Sequence, residues 1–440
     1  MNSILWRSAI TAAAGGLLFG FDTAVIAGVT GDLTTVYRLT PELLGVTVSS
    51  ALWGTIAGSV FGGIPGDRWG RRAALQLLAV LYVISAVGTG LAWDWWSLLA
   101  FRTIGGLAIG GSSVIGPMYI AEIAPARSRG RMVGLFQFNV VLGILVAYLS
   151  NFLVGLGGLG EAEWRWKLGI AAVPAAVFLV MLFSIPQSPR WLARVGRVDE
   201  AEAVLARIGE PNPRAELEAI LAGLKADENA RAQTLFCRQN RLPVFLAISI
   251  GLFNQLSGIN AILYYLNDIF RKGGFDKVSS DLQAVAIGAT NLLFTMAAMT
   301  VIDRFGRRAL LLTGSVGTAV CLAGVTWVFR SGTNEGLLLW LLIGFIAFFG
   351  FSQGAVIWVY ISEVFPTMVR AKGQSLGSFS HWAANAVISG VFPAIAARWV
   401  AAPFAFFAAM MVVQFVVVWV WYPETRGASL EDLQKRMQKG

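Results

Sequence analysis

The chain alternates between long apolar runs and short polar segments. A helix needs about 20 mainly apolar residues to cross the hydrocarbon core of a membrane. Twelve runs of this kind lie near residues 8–29, 43–65, 73–92, 97–124, 130–155, 166–186, 242–270, 280–302, 309–329, 336–364, 370–395 and 398–422. The first run continues past Asp22 without a small-residue cleavage site, so we expect a retained span. The pattern predicts twelve membrane-spanning helices, six on each side of one polar segment.

That polar segment, residues 187–241, is the only long hydrophilic stretch. Helical patterns at 198–208 and 214–230 are separated by a Pro-Asn-Pro sequence, which indicates two short surface helices. The predicted domains are a first six-helix bundle at 1–186, a linker at 187–241, a second six-helix bundle at 242–422 and a tail at 423–440.

Composition excludes a water-soluble globule, because 56% of the residues are apolar, only 13% are charged and the mean hydropathy is +0.66. The net charge of +9 does not indicate nucleic-acid binding, since Lys and Arg occur in short clusters between the apolar runs. Of the 34 basic residues, 25 lie on the side of the termini, 8 on the other side and one, Arg102, within a span. By the positive-inside rule, we expect both termini, the linker and the tail on the cytoplasmic side. The expected location is the inner membrane of the cell.

Three sequence patterns occur twice in the same order. Asp-Arg-x-Gly-Arg-Arg at 67–72 recurs at 303–308, Tyr-Ile-x-Glu at 119–122 recurs at 360–363, and the Pro-x-Ser/Thr at 186–188 recurs at 423–425. The offsets of 236, 241 and 237 residues indicate a duplicated six-span unit. An even number of spans gives both copies the same orientation, so we predict an all-α membrane protein of two parallel repeats with a substrate site between them near mid-membrane.

Four further motifs are more specific: Gly-Phe-Asp at 20–22, Pro-Gln-Ser-Pro-Arg at 186–190, Gln-Leu-Ser-Gly-Ile-Asn at 255–260 and Pro-Glu-Thr-Arg-Gly at 423–427. With the repeated loops, they make the sequence resemble the sugar porter branch of the major facilitator superfamily, which includes bacterial proton-coupled hexose and xylose symporters and facilitative hexose transporters. The resemblance implies the major facilitator fold and movement of a monosaccharide by alternating access, with no covalent chemistry.

Buried amides and aromatic rings are the candidates for sugar binding. Amides both donate and accept hydrogen bonds, as sugar hydroxyls do, and Gln255 and Asn260 are near enough in helical angle to face one cavity. The resemblance assigns sugar contact to Gln137, Asn254, Gln255, Asn260, Asn291, Trp358, His381, Trp382 and Asn385. The alternative is hydrogen bonding between helices for the amides and packing for the tryptophans.

Three positions depart from the family pattern. Asn254 stands where the family commonly has Gln, His381 where relatives often have Gln or Asn, and Gln187 where the first Pro-x-Ser-Pro-Arg motif usually has an acid. His381 is the only histidine of the chain, and the alternatives to sugar contact for it are packing and a proton-relay role. We expect Asn254 to shorten one arm of the first sugar contact and Gln187 to weaken the inner lock of the first repeat. Residues 352–354 read Ser-Gln-Gly where bacterial relatives often have a Trp beside the Gly, so we also expect a different pocket rim.

Asp22 in the first span and Arg102 in the fourth are the candidates for proton coupling, since charged groups inside a membrane are costly and usually functional. In family symporters the acid matching Asp22 couples sugar to proton movement. The alternative is a fixed ion pair that joins the two spans. A second acid known in the sixth span of the xylose symporter has no counterpart, because Ala171 occupies that position.

Charged groups at the terminus-side ends of the spans form a predicted cytoplasmic gate, in which ion pairs form and break between states. Its members are Asp67, Arg71, Arg72, Glu122, Arg129, Asp303, Arg307, Arg308, Glu363, Arg370 and Glu424. The alternative is that the basic members only retain the topology.

The sequence therefore predicts a monomeric carrier in the lipid bilayer that moves a monosaccharide, a hexose such as glucose, together with protons. A facilitative uniporter and a membrane sugar sensor are the alternatives. We expect no enzyme activity, no metal and no cofactor, because Walker, HExxH and nucleophile-elbow motifs are absent and only two cysteines and one histidine are present.

Overall fold

The computed structural model describes residues 3–125, 128–230, 234–366 and 369–426, and within these ranges the regular secondary structure is helical. The helices are α1 Ser3–Val25, α2 Thr30–Tyr37, α3 Pro41–Phe61, α4 Gly63–Trp69, α5 Arg71–Gly90, α6 Trp95–Ile123, α7 Arg129–Leu156, α8 Glu163–Gly169, α9 Ala172–Leu182, α10 Pro189–Arg194, α11 Val198–Ile208, α12 Pro213–Ala230, α13 Arg241–Leu256, α14 Ile259–Tyr264, α15 Leu266–Lys272, α16 Lys277–Phe305, α17 Arg307–Ser331, α18 Leu337–Phe351, α19 Gln353–Val364, α20 Arg370–Arg398 and α21 Ala402–Trp421. Residues 427–440 of the predicted tail and 231–233 of the predicted linker lie outside the described ranges.

The twelve expected spans correspond to these helices in order. Nine spans are single helices, namely α1, α3, α5, α6, α7, α16, α17, α20 and α21, and three are formed by consecutive pairs, namely α8–α9, α13–α14 and α18–α19. Eleven of the helical segments in the described chain are long and apolar enough to cross a membrane. The remaining span, α20, has 29 residues but is more polar, because it carries Ser380, His381 and Asn385 in its middle.

Two glycines make the tight turn between adjacent spans in equivalent places of the two repeats. Gly70 precedes α5 with φ +90°, and Gly306 precedes α17 with φ +86°. A Cβ atom would lie 2.2 Å from Nε2 of Gln187 at Gly70 and 2.5 Å from Oε2 of Glu424 at Gly306. The positive φ and the close side chain both require glycine.

The chain divides into two compact units by its internal contacts. The first comprises Met1–Thr23, Ser50–Ala147 and Ala162–Ala232. Its core joins side chains of the first, third, fourth, fifth and sixth spans with Trp191, Leu205 and Leu217. The short helices α10, α11 and α12 of the predicted linker therefore belong to this unit, and their apolar residues cover its core. Helices α11 and α12 lie where the sequence predicts surface helices, whereas α10 has no counterpart in the prediction.

The second unit comprises Ala24–Ser49, Tyr148–Glu161 and Gln233–Gly440. Its core includes Leu246, Leu311, Tyr360 and Val418. Segments 24–49 and 148–161 come from the first sequence repeat, at the ends of spans that lie away from the termini. They pack with the second repeat, so this division by contacts differs from a division at the linker. For example, the Tyr148 hydroxyl donates to the backbone carbonyl of Leu263 at 2.8 Å.

Candidate functional site

The seventh span is interrupted in the middle of the Gln-Leu-Ser-Gly-Ile-Asn motif. Helix α13 ends at Leu256, and α14 begins at Ile259 after Gly258, which has φ +83°. A Cβ atom at Gly258 would lie 2.3 Å from Cδ2 of Phe407, so the twelfth span fills the space beside the break. On an unbroken helix, residues five apart differ by about 140° in direction. Spacing on a regular helix therefore does not bring the two amides together, contrary to the expectation from helical angle, and it is across the break that Asn260 lies within hydrogen-bond distance of Gln255.

Gln255 is the centre of a buried hydrogen-bond cluster. Its Nε2 lies 3.1 Å from Oδ1 of Asn254 and 3.2 Å from the ring nitrogens of His381. The Nδ2 of Asn260 donates to Oε1 of Gln255 at 3.0 Å. Both polar ends of the Gln255 amide are thus used, and a neutral imidazole accepts from it. The structure brings together four of the predicted sugar-contacting residues through direct bonds.

Two tryptophans flank this cluster through His381. The ring centroid of Trp382 is 4.9 Å from that of His381 at 88° between planes, and the Trp358 centroid is 5.2 Å away at 59°. Trp382 is buried, whereas 39% of Trp358 is exposed. An exposed indole face beside buried amides is a surface on which the C–H face of a pyranose can stack. We call Asn254, Gln255, Asn260, Trp358, His381 and Trp382 the amide cluster.

The other predicted sugar residues have different surroundings. Asn385 is fully buried and donates to the Tyr264 hydroxyl at 3.1 Å, and it accepts from Ser389 at 3.0 Å. Asn291 on α16 accepts from Thr295 at 3.4 Å. Gln137 is partly exposed on α7 of the first unit.

The sequence reasoning did not assign a role to Tyr264, which follows Asn260 by one helical turn on α14 and is the direct partner of Asn385. In the sequence, only the spacing from Asn260 indicates that Tyr264 belongs with the polar residues, since residues four apart lie on one helix face. Tyr264 therefore extends the polar surface of the seventh span beyond Asn260.

Asp22 and Arg102 are near neighbours in the first unit. Arg102 is buried on α6, and its guanidinium acts electrostatically on the Asp22 carboxyl of α1. Among the described residues, the buried Nε of Arg102 has no hydrogen-bond partner. The charge of Asp22 also acts on Tyr82, whose hydroxyl is 3.1 Å from that of Ser112. The sequence reasoning missed Tyr82, which lies within the electrostatic reach of Asp22, and its partner Ser112.

The charged motifs of the first repeat form one compact network at the end of the fourth span. Arg71 pairs with Glu122 at 3.0 Å and with Asp67 at 2.8 Å. Asp67 also pairs with Arg194 of α10 at 2.8 Å, and its backbone carbonyl accepts from the indole of Trp191 at 2.9 Å. Arg194 and Trp191 were not predicted, although both directly follow the Pro-Gln-Ser-Pro-Arg motif.

The second repeat builds the equivalent network. Arg307 pairs with Glu363 at 2.9 Å, and Glu363 also accepts from the Thr425 hydroxyl at 2.6 Å. The Glu424 carboxylate accepts from the backbone N–H groups of Arg307 and Arg308 at 2.9 and 3.1 Å. In both networks an Arg at the start of a span is held by an acid at the end of the next.

The remaining predicted gate residues lie near these networks in sequence. The backbone N–H of Arg72 donates to Oε1 of Gln187 at 2.9 Å. Arg129 is exposed at the start of α7, and Arg370 begins α20. The side chain of Asp303 lies outside the described part of the chain.

Comparison with known proteins gives one consistent result. A family described as sugar (and other) transporter matches residues 8–436. The arabinose-proton symporter of Bacillus subtilis is 36% identical, with 96% of this chain and 92% of the relative covered. The D-xylose-proton symporter of Escherichia coli is 32% identical, with 98% and 96% covered. The inward open structure of the E. coli xylose transporter XylE superposes with a TM-score of 0.88 at 31% identity, covering 98% and 99% of the two chains.

These relatives are transporters and not enzymes, and they have the fold that the repeats and the helices of this chain indicate. The match extends over both repeats and over the linker helices between them. Our chain is therefore a multi-pass membrane protein that belongs to the sugar transporter family of the major facilitator superfamily.

Proposed function

We propose that the protein carries a monosaccharide, a hexose such as glucose, across the cell membrane together with protons. The observation that supports this most directly is the amide cluster of the seventh, tenth and eleventh spans. Its amides hydrogen-bond to one another, so few of their polar atoms are left unpaired in a membrane-spanning segment.

A sugar can replace the internal partners of Gln255 one for one. Each sugar hydroxyl donates and accepts, so it can take the place of His381 at the amide nitrogen or of Asn260 at the amide oxygen. Binding then exchanges hydrogen bonds without leaving a buried group unpaired, which would cost about 1–3 kcal/mol. Stacking on Trp358 adds a contact that depends on the C–H face of the ring.

Proton coupling rests on Asp22 and Arg102. An ionised carboxyl in a membrane-spanning helix is costly to move through a closed state unless it is paired or neutralised. A change in the separation of this carboxyl from the Arg102 guanidinium would change the proton affinity of Asp22. The relatives named as arabinose-proton and D-xylose-proton symporters are consistent with such coupling.

We place both termini and the linker helices in the cytoplasm. The two arginine–acid networks then lie at the cytoplasmic ends of the spans, where Arg71 with Glu122 and Arg307 with Glu363 fix the neighbouring helices in each repeat. We assign them to the cytoplasmic gate, since regrouping a few such charges biases two states by a few kcal/mol.

The Asp22→Asn variant tests the proposal. Asn preserves the shape of the side chain but carries no titratable proton. We expect the variant to bind sugar and to exchange it down a sugar gradient, but to lose accumulation driven by a pH gradient in reconstituted vesicles. Asp199→Asn, which changes an exposed acid on α11, is the matched control and should accumulate sugar normally.

Three outcomes would change the conclusion. Accumulation that persists in Asp22→Asn under an imposed pH gradient would remove Asp22 from the coupling mechanism. A wild-type protein that equilibrates sugar but never accumulates it would be a uniporter. Binding without any transport would identify a sugar sensor.

A further inference from the structure

Two short segments meet on the side of the molecule away from the termini. Helix α2, Thr30–Tyr37, follows the first span, and helix α15, Leu266–Lys272, follows the seventh. They occupy corresponding places in the two sequence repeats, and both belong to the second compact unit. Contacts between them therefore join the first repeat to the second.

An ion pair connects α2 with the helix that follows α15. The Nζ atom of Lys277, at the start of α16, lies 3.3 Å from both carboxylate oxygens of Asp32 on α2. The side chains are partly exposed, at 38% for Lys277 and 28% for Asp32. Such a pair can form and break without burying an isolated charge, whereas breaking a fully buried pair is strongly unfavourable.

The backbone next to Asp32 packs closely against a side chain of the second repeat. A Cβ atom at Gly31 would lie 2.4 Å from Nη1 of Arg271, so the guanidinium packs directly against the glycine. The neighbouring Thr30 is buried, and its hydroxyl donates to the backbone carbonyl of Ala27 at 3.3 Å. Gly31 and Asp32 of α2 thus both contact basic side chains that follow the seventh span.

Helix α15 is itself held firmly. The Nζ atom of Lys272 donates to the backbone carbonyl of Ala396 on α20 at 2.8 Å, and Asn267 donates to Asp281 on α16. The contacts to α2 therefore act on a helix that is anchored to two neighbouring spans, and separation has to break them at α2.

We propose that the Asp32–Lys277 pair, with Gly31 seated against Arg271, is a latch that stabilises the closed arrangement of the side away from the termini and slows its opening. In the proposed orientation this is the outer side. The inference rests on alternating-access transport, in which this side must open once in every cycle. It assigns a role to residues that lie outside both the amide cluster and the proton-coupling pair.

The test measures opening directly and without sugar. Ser49 is 4% exposed on α3, and its Oγ would lie 3.3 Å from a Cβ atom at Gly390 of α20, so it is covered when this side is closed. Ser49→Cys, in a protein with Cys237 and Cys321 changed to Ser, reports opening through its rate of reaction with an impermeant thiol reagent. The purified full chain in lipid nanodiscs is used.

We expect Asp32→Asn and Lys277→Gln each to increase the reaction rate about two- to fivefold, the range for a partly exposed ion pair. The double variant should react no faster than the faster single variant, and the reversed pair Asp32→Lys with Lys277→Asp should restore the slow rate. Gly31→Ala should also react faster, because its Cβ displaces the Arg271 guanidinium. Arg197→Gln, which breaks an exposed pair with Glu200 on α11, is the control and should have no effect.

Equal reaction rates in all the variants, including no reaction in any, would overturn the latch. So would additive effects of the two single variants, since additivity means that the two charges act independently. Because reactivity is measured without sugar or a proton gradient, failure of the latch is distinguishable from failure of the proposed transport, which the accumulation assay tests.

Discussion

At the scale of single residues, the side-chain amide of Gln255 is hydrogen-bonded to three other side chains. Its one amide contacts Asn254, His381 and Asn260, which come from two spans and from both sides of the helix break. Removal of this amide leaves three polar groups without that partner in a low-dielectric interior, where an unpaired group is expensive. Replacement of neighbouring apolar residues has no such effect on hydrogen bonding.

We predict that Gln255→Ala weakens sugar binding by about 1–3 kcal/mol, the range for losing a hydrogen bond and leaving its partner unsatisfied. Binding is measured calorimetrically with purified protein. Gln414→Ala is the matched control, since Gln414 is an equally buried glutamine on α21 and is not part of the amide cluster. His381→Gln should change the preference among sugars more than the overall affinity. Normal sugar binding by Gln255→Ala would show that the amide cluster is not the sugar site.

At the scale of secondary-structure elements, the two repeats use different side chains to accept hydrogen bonds from the first N–H groups of equivalent helices. The first N–H groups of a helix lack partners within the helix and favour a negative charge. At α17 the carboxylate of Glu424 accepts from Arg307 and Arg308. At α5 the equivalent residue is Gln187, whose side-chain oxygen accepts from the backbone N–H of Arg72. The Nε2 of Gln187 donates to the backbone carbonyl of Trp69 at 3.4 Å. The first repeat thus has a neutral cap where the second has an anion.

We predict that Gln187→Glu raises the free energy of unfolding by about 0.3–1 kcal/mol, because a carboxylate at a helix N-terminus interacts favourably with its dipole. The reciprocal change, Glu424→Gln, should lower stability by a similar or larger amount, since it removes a charge-assisted acceptor. Thermal unfolding of the two variants in the same detergent checks this. A lower unfolding temperature for Gln187→Glu would mean that the Trp69 contact contributes more than the added charge.

At the scale of the whole molecule, the proposed orientation rests on the distribution of charge. The segment from 187 to 241 contains nine of the 25 basic residues on the side of the termini. Its helices pack on the first unit through apolar side chains such as Trp191 and Leu205, while their charged faces remain outside. Such a basic segment is retained in the cytoplasm during membrane insertion.

We predict that an impermeant maleimide labels Cys237 only after the cells are permeabilised. Cys237 is exposed between α12 and α13, whereas Cys321 is buried in α17, so the reagent has one accessible target. Cys237→Ser is the control and should abolish the signal. Labelling of intact cells would reverse the proposed orientation and, with it, the assignment of the gate and of the outer latch.

Much of this architecture is determined by the sequence alone. Spans are recognisable because every membrane-crossing segment must satisfy its backbone within a helix and present apolar side chains to lipid. The repeated Asp-Arg-x-Gly-Arg-Arg and Tyr-Ile-x-Glu patterns reveal the duplication, since the same turn and arginine–acid network are built twice. The same patterns identify Arg71, Glu122, Arg307 and Glu363, which the structure pairs.

Only the tertiary structure decided which of these residues meet. The ring of Phe407 packs against Gly258 at the break, and the bond between Gln255 and His381 joins residues 126 positions apart. The Asp32–Lys277 pair spans 245 positions, and no local pattern marks either residue as a partner. Local periodicity reports the face on which a side chain lies, whereas the partner on that face is fixed by how helices from distant parts of the chain pack against one another.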